Sequence, residues 1–351
     1  MLADLKELVL CESYSADHAA VARSAAVVAA LGTRLLGAEP ETIVIDGVTH
    51  LRWTFGTPRV LLLGHHDTVW PMGSLQRRPW SVSDGVARGP GVLDMKAGLV
   101  QMFHALASLP SPDGVCVVVN GDEEVGSTTS RQLIEESVRG CAAAFVLEAS
   151  GDAAGALKTA RKGTSRYEVV VHGRAAHAGQ EPQEGVNAAV EAAHQVLAIA
   201  GIGASMGAVG AAHPVLGLAT VTPTLLSAGT ARNTVPASAR VSVDVRAPTA
   251  VAQDWIDSLM RELTARTPGA RLEVTGGARR PPMEPESSTE LFALAALLAA
   301  ELGQEPLRGI AVGGASDGNC TAAAGCPTLD GLGGVGAGAH ADTEYVEVAR
   351  I

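Results

Sequence analysis

The chain has few aromatic residues, few charged residues and few cysteines, and each shortage argues against a class of protein. Aromatic residues make up 3% of the 351 residues, which disfavours a surface on which nucleic-acid bases stack. The formal net charge of −11 disfavours both nucleic acid and anionic membranes as partners. With 47% hydrophobic and 18% charged residues, the composition excludes a disordered chain and allows two domains with their own cores.

The five cysteines (Cys11, Cys116, Cys141, Cys320 and Cys326) are odd in number and contain no C-x-x-C pair. We therefore expect neither a disulfide framework nor a structural zinc knuckle, and we expect a reducing, cytoplasmic compartment. The first seven residues predict the start of an amphipathic helix rather than a signal peptide. We also expect no apolar run that spans a membrane.

Polar side chains follow three apolar runs that predict buried strands. His65 follows the run 59–63, Glu123 and Glu124 follow the run 115–119, and Glu148 follows the run 143–147. Continuous apolar runs are typical of strands covered on both faces. Because ligands bind at the carboxyl edge of the strands in an open α/β sheet, we expect these side chains to share one site.

A different pattern begins after about residue 163. Strands and helices then alternate in the order βαββαβ, over residues 167–172, 185–200, 218–226, 239–246, 250–267 and 271–275. This is the order of a ferredoxin-like domain, and the alternating strands predict an antiparallel sheet. The first pattern then resumes. The sequence thus predicts an α/β domain with a central, mostly parallel sheet (residues 1–162 and 277–351) and an inserted domain (residues 163–276).

Candidate metal ligands come from five separate segments. They are His65 or His66, Asp67, Asp94, Glu123 or Glu124, Glu148 and His340. Such nitrogen and oxygen ligands suit zinc, and also cobalt or manganese. Two metals about 3.5–4 Å apart, bridged by one carboxylate, form a recurrent hydrolytic arrangement. Taken singly, each residue is more often structural or solvated, so the joint occurrence carries the hypothesis.

The adjacent Glu123 and Glu124 predict two different roles at this site. Consecutive residues of an extended backbone point in opposite directions, so one carboxylate can bind a cation while the other faces the cleft. An unliganded carboxylate beside a metal can take a proton from water and pass it to a leaving amine.

Two other motifs compete with the metal hypothesis. Residues 314–318 match the G-x-S-x-G nucleophile elbow, with Ser316 followed by Asp330 and His340 in serine-hydrolase order. That interpretation leaves the carboxylates unexplained, so a serine hydrolase is a remote alternative. Residues 331–336 match G-x-G-x-x-G, but the acidic residue expected about 20 positions later is missing because the chain ends first.

Several motifs resemble, in order, those of the glutamate carboxypeptidase / acetylornithine deacetylase family of co-catalytic zinc exopeptidases and deacylases. They include GHHDTV, GPGVLDMKAG, GDEEVGS, HGRAAHAG and GAHADTEYV. The resemblance implies a zinc-binding α/β domain with an inserted dimerisation domain, which agrees with the organisation above. Relatives usually continue past this chain's last motif with a closing helix, which is either dispensable here or removed by truncation.

The resemblance implies a role for each candidate at the predicted sheet edge. It implies two zinc ions per subunit, one held by His65 and Glu148, the other by Glu124 and His340, with Asp94 bridging them. Asp67 would orient His65, and Glu123 would be the general base.

The resemblance also implies substrate-binding residues in and near the inserted domain. His177 would reach across the interface of a homodimer to polarise the scissile carbonyl. Asn233 and Arg246 would hold the substrate, with Arg246 gripping a free carboxylate. Gly313 and Gly314 would approach the substrate backbone.

The expected activity is hydrolysis of an amide that releases an amino acid with a free carboxylate, most like that of a glutamate carboxypeptidase. The substrate would be a short peptide or an N-acyl amino acid. The alternative within the family is an N-acyl-amino-acid deacylase of the acetylornithine deacetylase or aminoacylase kind. A catalytically silent binding module ranks last because no predicted ligand is missing.

Overall fold

The computed structural model describes residues 1–207 and 212–351. It divides into two compact units. Unit 1 comprises Met1–Ala160, Met283–Val312 and Ser316–Ile351, and unit 2 comprises Arg161–Pro282 and Gly313–Ala315. The chain returns to unit 1 after Pro282 rather than at residue 277 because the last strand of unit 2 continues to Arg280.

In the described part of the chain the α-helices are α1 (Leu2–Leu10), α2 (His18–Leu36), α3 (Ser74–Arg77), α4 (Ala97–Ala107), α5 (Arg131–Val138), α6 (Ala188–Ser205), α7 (Ala250–Arg261), α8 (Thr289–Glu301) and α9 (Gly318–Ala323). The strands are β1 (Glu41–Ile45), β2 (Val48–Thr54), β3 (Val60–His65), β4 (Ser81–Ser83), β5 (Val86–Arg88), β6 (Val115–Asn120), β7 (Ala143–Val146), β8 (Leu157–Arg161), β9 (Gly163–His172), β10 (Ala212–His213), β11 (Gly217–Leu218), β12 (Thr220–Ala228), β13 (Ser238–Ala247), β14 (Arg271–Arg280), β15 (Gly309–Val312), β16 (Thr328–Leu329), β17 (Gly336–Ala337) and β18 (Tyr345–Glu347).

The main sheet of unit 1 has the strand order β1-β2-β6-β3-β7-β16. Strands β6, β3, β7 and β16 run parallel to one another, whereas β1 and β2 pair antiparallel at one edge. Helices α2 and α4 contribute to a core with Trp53 and Phe103, and a separate core joins Leu133 and Ile134 of α5 to the sheet. The predicted α/β fold with a mostly parallel sheet is therefore confirmed.

Unit 2 contains a four-stranded antiparallel sheet with the order β12-β13-β9-β14. Helices α6 and α7 pack against this sheet and bury Ile199 and Ile256 in a common core. If the four strands are numbered in chain order, they lie side by side in the order 2-3-1-4. One helix follows the first strand and one follows the third. This is the predicted ferredoxin-like βαββαβ arrangement.

A second, small sheet of unit 1 is absent from the sequence prediction. It has the order β17-β18-β5-β4, and each of its strands is only two or three residues long. Such short strands carry too few alternating positions to be recognised from their sequence. This sheet matters because β17 and β18 flank the loop that carries His340.

Helices α2 and α6 are long and apolar enough, by length and composition, to cross a membrane. Each buries one face against the sheet of its own unit, including Val28 and Leu31 of α2 and Ala192 and Ile199 of α6. Core helices of this kind meet the same criterion. The absence of a membrane partner therefore stays a prediction.

Helix α2 approaches the sheet closely at Gly32, which gives a test of the core. A Cβ at Gly32 would lie 2.4 Å from Cζ2 of Trp53. The ring cannot move away because it packs edge-on against Phe103 and donates a hydrogen bond to the Ala38 carbonyl. We expect Gly32→Ala to destabilise the protein by about 1–3 kcal/mol, measured as a lower urea midpoint.

The matched control is Gly201→Ala, also within a helix. A Cβ at Gly201 meets nothing within 4 Å, so this change should stabilise by roughly 0.5–1 kcal/mol through helix propensity alone. A Gly32→Ala protein at least as stable as the wild type would contradict the close packing.

Candidate metal centre

The carboxyl ends of three neighbouring parallel strands bring the predicted side chains together. His65 is the last residue of β3 and pairs in register with Asn120 of β6. On the other side, Leu63 pairs with Val146 of β7, two residues before Glu148. The ladder therefore places the segments after β6 and β7 on either side of His65, as expected from the apolar runs.

Asp94 lies between two histidines that come from distant parts of the chain. One carboxylate oxygen, Oδ1, is 3.4 Å from Nε2 of His65, and the other, Oδ2, is 3.1 Å from Nε2 of His340. Nε2 of His65 is also 3.5 Å from Oε1 of Glu148, and Nε2 of His340 is 3.2 Å from Oε2 of Glu124. The five side chains thus form two groups, His65–Glu148 and His340–Glu124, that share the carboxylate of Asp94.

Asp67 fixes the position of both the His65 ring and the glutamate turn. Its backbone carbonyl lies 3.0 Å from Nδ1 of His65, which leaves Nε2 directed at the cluster. Its buried carboxylate accepts hydrogen bonds from the backbone N–H groups of Glu123 and Glu124 at 3.1 and 3.2 Å and from the Ser15 hydroxyl at 2.7 Å. Asp67 therefore supports three of the predicted residues, His65, Glu123 and Glu124, and does not act on His65 alone.

Glu123 and Glu124 lie in a 3₁₀ turn, Glu123–Val125, and not in extended backbone as predicted. Asp122 stabilises this turn by accepting hydrogen bonds from the backbone and side chain of Thr129. Carboxylate oxygens of both glutamates still reach the cluster. One ligand atom of Glu123 lies within 4.8 Å of those of His65 and Glu148, and one of Glu124 lies equally close to those of His65 and Asp94.

A network of buried polar side chains also stabilises the turn that carries Glu123 and Glu124. The carboxylate of Asp317 accepts hydrogen bonds from the hydroxyl of Ser127 and, at 2.5 Å, from the amide of Asn120. Asp317 is almost fully buried. It therefore anchors both ends of the segment that carries the two glutamates.

The crowded carboxylates of the cluster favour positive charge close to them. Hydrogen bonds with the carboxylates of Asp94 and Glu124 raise the pKa of His340 to about 10. Burial by itself would lower the pKa of His65, but the neighbouring carboxylates, led by Asp67, raise it well above its ordinary value. Burial raises the pKa of Glu124 to about 7. Protons on these groups offset the repulsion between crowded carboxylates, and bound cations would do the same.

Two buried atoms of the cluster fit metal coordination. Within the described residues, Nε2 of His65 and Oε1 of Glu124 are buried and form no hydrogen bond. Buried polar atoms are seldom left in this state unless something else satisfies them. A donor set of two histidines and three carboxylates is one that zinc, cobalt or manganese accepts.

Glu344 is a buried residue of this region that the sequence did not single out. It follows His340 by four positions, and its carboxylate accepts hydrogen bonds from the backbone around Asp94. The one available signal was an acidic residue shortly after a predicted ligand. Its partners lie about 250 positions away, so the sequence alone could not identify them. The peptide bond that follows Asp94 is cis.

Of the predicted substrate residues of unit 2, Arg246 is half-buried and the others are exposed, and several have partners there. Nδ1 of His177 accepts hydrogen bonds from the backbone N–H groups of Gly179 and Gln180, both at 3.1 Å. The guanidinium of Arg246 binds both carboxylate oxygens of Asp244 at 2.8 and 3.1 Å. The backbone carbonyl of Asn233 accepts a hydrogen bond from Ala178.

The glycine pair Gly313–Gly314 also belongs to unit 2. The carbonyl of Gly314 accepts a hydrogen bond from Arg161 at 3.0 Å. A Cβ at either glycine would meet nothing within 4 Å. The contact with substrate that the resemblance implies for these two residues stays a prediction.

Ser316 does not have the setting of a nucleophile. The residue is 1% exposed, and its hydroxyl donates a hydrogen bond of 2.6 Å to Asp330. The same hydroxyl accepts one from the Gly318 backbone. A serine nucleophile needs an accessible hydroxyl bonded to a base such as histidine. The serine-hydrolase alternative is therefore wrong for this site.

Comparison with known proteins gives a family and close relatives. The model of the peptidase family M20/M25/M40 matches residues 61–351. Carboxypeptidase G2 from Pseudomonas sp. (strain RS-16) is 32% identical over 310 residues, which cover 84% of this chain and 71% of the relative. Succinyl-diaminopimelate desuccinylase from Acidiphilium cryptum is 27% identical over 316 residues, which cover 84% and 80%.

Among solved structures, an M20 family metallo-carboxypeptidase from Sulfolobus solfataricus has the same fold. It superposes with a TM-score of 0.75 at 16% sequence identity. The superposition covers 99% of this chain and 95% of that one. This likeness shows that the two chains share a fold.

Proposed function

This chain belongs to the peptidase family M20/M25/M40 and is a metal-dependent hydrolase, and from that premise we propose that it uses two metal ions to hydrolyse an amide. The observation that carries the proposal is the carboxylate of Asp94, with one oxygen directed at His65 and the other at His340. A carboxylate in this position can bridge two metal ions.

Each proposed metal has three ligands from unit 1. One ion would be held by His65, Asp94 and Glu148, and the other by Glu124, Asp94 and His340. Zinc is the metal we propose for both positions, with cobalt and manganese as alternatives. When bound, the two ions supply a water of lowered pKa and positive charge for the carbonyl oxygen.

Glu123 is the base of the proposed reaction. Its carboxylate lies beside the His65–Glu148 group, and its backbone is held by Asp67. It accepts the proton of the attacking water and delivers that proton to the leaving nitrogen. Glu124, the next residue of the same turn, would be a metal ligand and would not serve as the base.

Unit 2 supplies the groups that bind the substrate. His177 accepts two N–H groups at Nδ1, so its neutral form carries the proton at Nε2 and can donate to a carbonyl oxygen. Arg246 grips the free carboxylate of the substrate in the bidentate manner in which it now binds Asp244. Asn233, Gly313 and Gly314 complete this set by resemblance.

We propose a homodimer formed through unit 2, in which His177 serves the partner subunit. Strand β12 is an edge strand of its sheet. Leu225 and Leu226 on this strand are 70% and 56% exposed, and Leu197 of α6 is 69% exposed. An unpaired edge with exposed leucines favours pairing with a second chain.

The proposed substrate is a short peptide or N-acyl amino acid with a free α-carboxylate, and the proposed activity is that of a carboxypeptidase. A deacylase is the second candidate, because one relative is a desuccinylase and because both activities require the same metals and carboxylate clamp. A cytoplasmic location is proposed from the five cysteines, all of which are free thiols.

A substrate panel tests this function directly. We expect N-acyl glutamates and dipeptides to be hydrolysed. Each rate of hydrolysis should fall to background when a chelator is added and should return when zinc is restored. Release of amino acids would be measured by chromatography. Preference for acyl groups over aminoacyl groups would favour the deacylase, and activity that resists the chelator would refute the metal mechanism.

A further inference from the structure

Glu344 is a buried carboxylate that accepts four hydrogen bonds and lies 3.9 Å from Nη1 of Arg78. The residue is 0% exposed. Its Oε1 accepts the backbone N–H groups of Leu93 and Asp94 at 3.0 and 3.2 Å. Its Oε2 accepts the backbone N–H of Gly91 at 3.1 Å and the indole N–H of Trp70 at 2.9 Å. Each oxygen thus accepts two N–H groups, an arrangement that a glutamine side chain, with a single accepting oxygen, cannot reproduce.

Three of the four donors, the backbone N–H groups, belong to the turn that carries Asp94. This turn is tightly constrained, since Gly91 has a φ of +70° and a Cβ there would lie 2.5 Å from the Thr68 side chain. Glu344 therefore binds a closely packed turn. The contact fixes the Asp94 backbone relative to Glu344.

Glu344 itself belongs to the segment that carries His340. The N–H of Glu344 donates to the carbonyl of Ala341, which closes a short turn after His340. His340 has a φ of +63°, a left-handed conformation that a histidine adopts only where its surroundings impose it. Glu344 thus connects the backbone of Asp94 to the segment of His340, 250 positions away.

We propose that Glu344 is a positioning residue that sets the separation of Asp94 and His340 and so controls the affinity for the metal that these two residues share with Glu124. This inference rests on the proposed two-metal function. The effect should be smaller at the second metal, because Glu344 contacts the backbone of only one of its proposed ligands, Asp94, while His65 and Glu148 follow the paired strands β3 and β7. A residue with only a structural role would weaken both metals equally or neither.

The test is a zinc titration of the metal-free chain in competition with a chromophoric chelator. In Glu344→Gln, the amide NH₂ faces two N–H donors, so two hydrogen bonds are replaced by repulsion. We expect two sites in the wild type. In the variant we expect one site weakened by roughly 10–100-fold, the usual effect of losing a contact that supports a ligand, and the other weakened by a smaller factor.

The same titration in a variant that binds only one zinc identifies which metal Glu344 affects. His340→Ala should leave one zinc, held by His65, Asp94 and Glu148. Adding Glu344→Gln to that variant should weaken the remaining zinc only by the smaller factor, because Asp94 is the one of its ligands whose backbone Glu344 contacts. If the double variant loses this zinc as well, or if Glu344→Gln weakens both sites equally or neither, the inference is overturned.

The matched control is Glu191→Gln in unit 2. Glu191 is also 0% exposed and accepts backbone N–H groups from Arg266 and Thr267. Its change should lower stability and leave both zinc affinities unaltered. If the affinities move in this control as they do in Glu344→Gln, the effect is general destabilisation and the inference fails.

A milder variant decides the matter if Glu344→Gln does not fold. Trp70→Phe removes one of the four donors and keeps an aromatic ring beside Arg78. It should weaken the same zinc by a smaller factor, and unchanged binding would count against the proposal. A wild-type chain that binds fewer than two zinc ions would instead refute the proposed function, so the two failures are distinguishable.

Discussion

Replacing Glu123 by glutamine is expected to lower kcat by roughly 10²–10⁴-fold while two metal ions stay bound. The side chain keeps its size, and its backbone N–H still donates to Asp67 at 3.1 Å. The amide cannot accept the proton of the attacking water, so the defect is confined to proton transfer. Steady-state rates and elemental analysis of the same preparation would measure the two quantities.

The neighbouring residue provides the matched control for this experiment. Glu124 lies in the same 3₁₀ turn, and its carboxylate contacts His340. Glu124→Gln should therefore lose one metal ion as well as activity. Glu123 also reaches His65 and Glu148 closely enough to act as a ligand. Loss of metal from Glu123→Gln and its retention in Glu124→Gln would show that the two roles are exchanged.

The strands that position the site could be predicted because their sequences are unusually simple. The runs that form β3, β6 and β7 are continuously apolar, as buried parallel strands require. Once three such strands are adjacent and parallel, the residues that follow them must meet at one edge. His65, Glu123, Glu124 and Glu148 were therefore placed correctly at that edge from the apolar runs alone.

The conformation of the glutamate turn could not be predicted from those runs. Extended backbone was the natural expectation directly after β6. The side chain of Asp122 instead accepts hydrogen bonds from Thr129 and Ser130, seven and eight positions later, which stabilise a compact turn. Hydrogen bonds of this kind depend on where the chain returns, and local propensity does not encode that return.

His340 and Glu344 show a second limit. No apolar strand of recognisable length precedes His340, because β17 contains only two residues. His340 was a candidate ligand by its residue type, and only the resemblance to a family gave it a role, while nothing identified Glu344. The bonds of Glu344 to Gly91, Leu93 and Asp94 are made to backbone groups, which have no side-chain signature in the sequence. Such a contact becomes visible only in the folded chain.

Removing Asp94 is expected to affect both metal ions at once. Its two oxygens are directed at His65 and His340 separately, so Asp94→Ala deletes one of three proposed ligands from each ion. The affinities for both should fall by more than roughly 100-fold, since even the loss of a contact that only supports a ligand costs up to that much. Activity should fall to background.

The contrast with His340→Ala makes this prediction specific. His340 contacts Asp94 and Glu124 and belongs to one proposed ion only, so its removal should leave one ion bound at wild-type affinity. Zinc titration of the two metal-free variants, with circular dichroism to verify their fold, would distinguish the two patterns. If Asp94→Ala still binds one ion as tightly as the wild type, Asp94 ligates a single metal and the bridging arrangement must be abandoned.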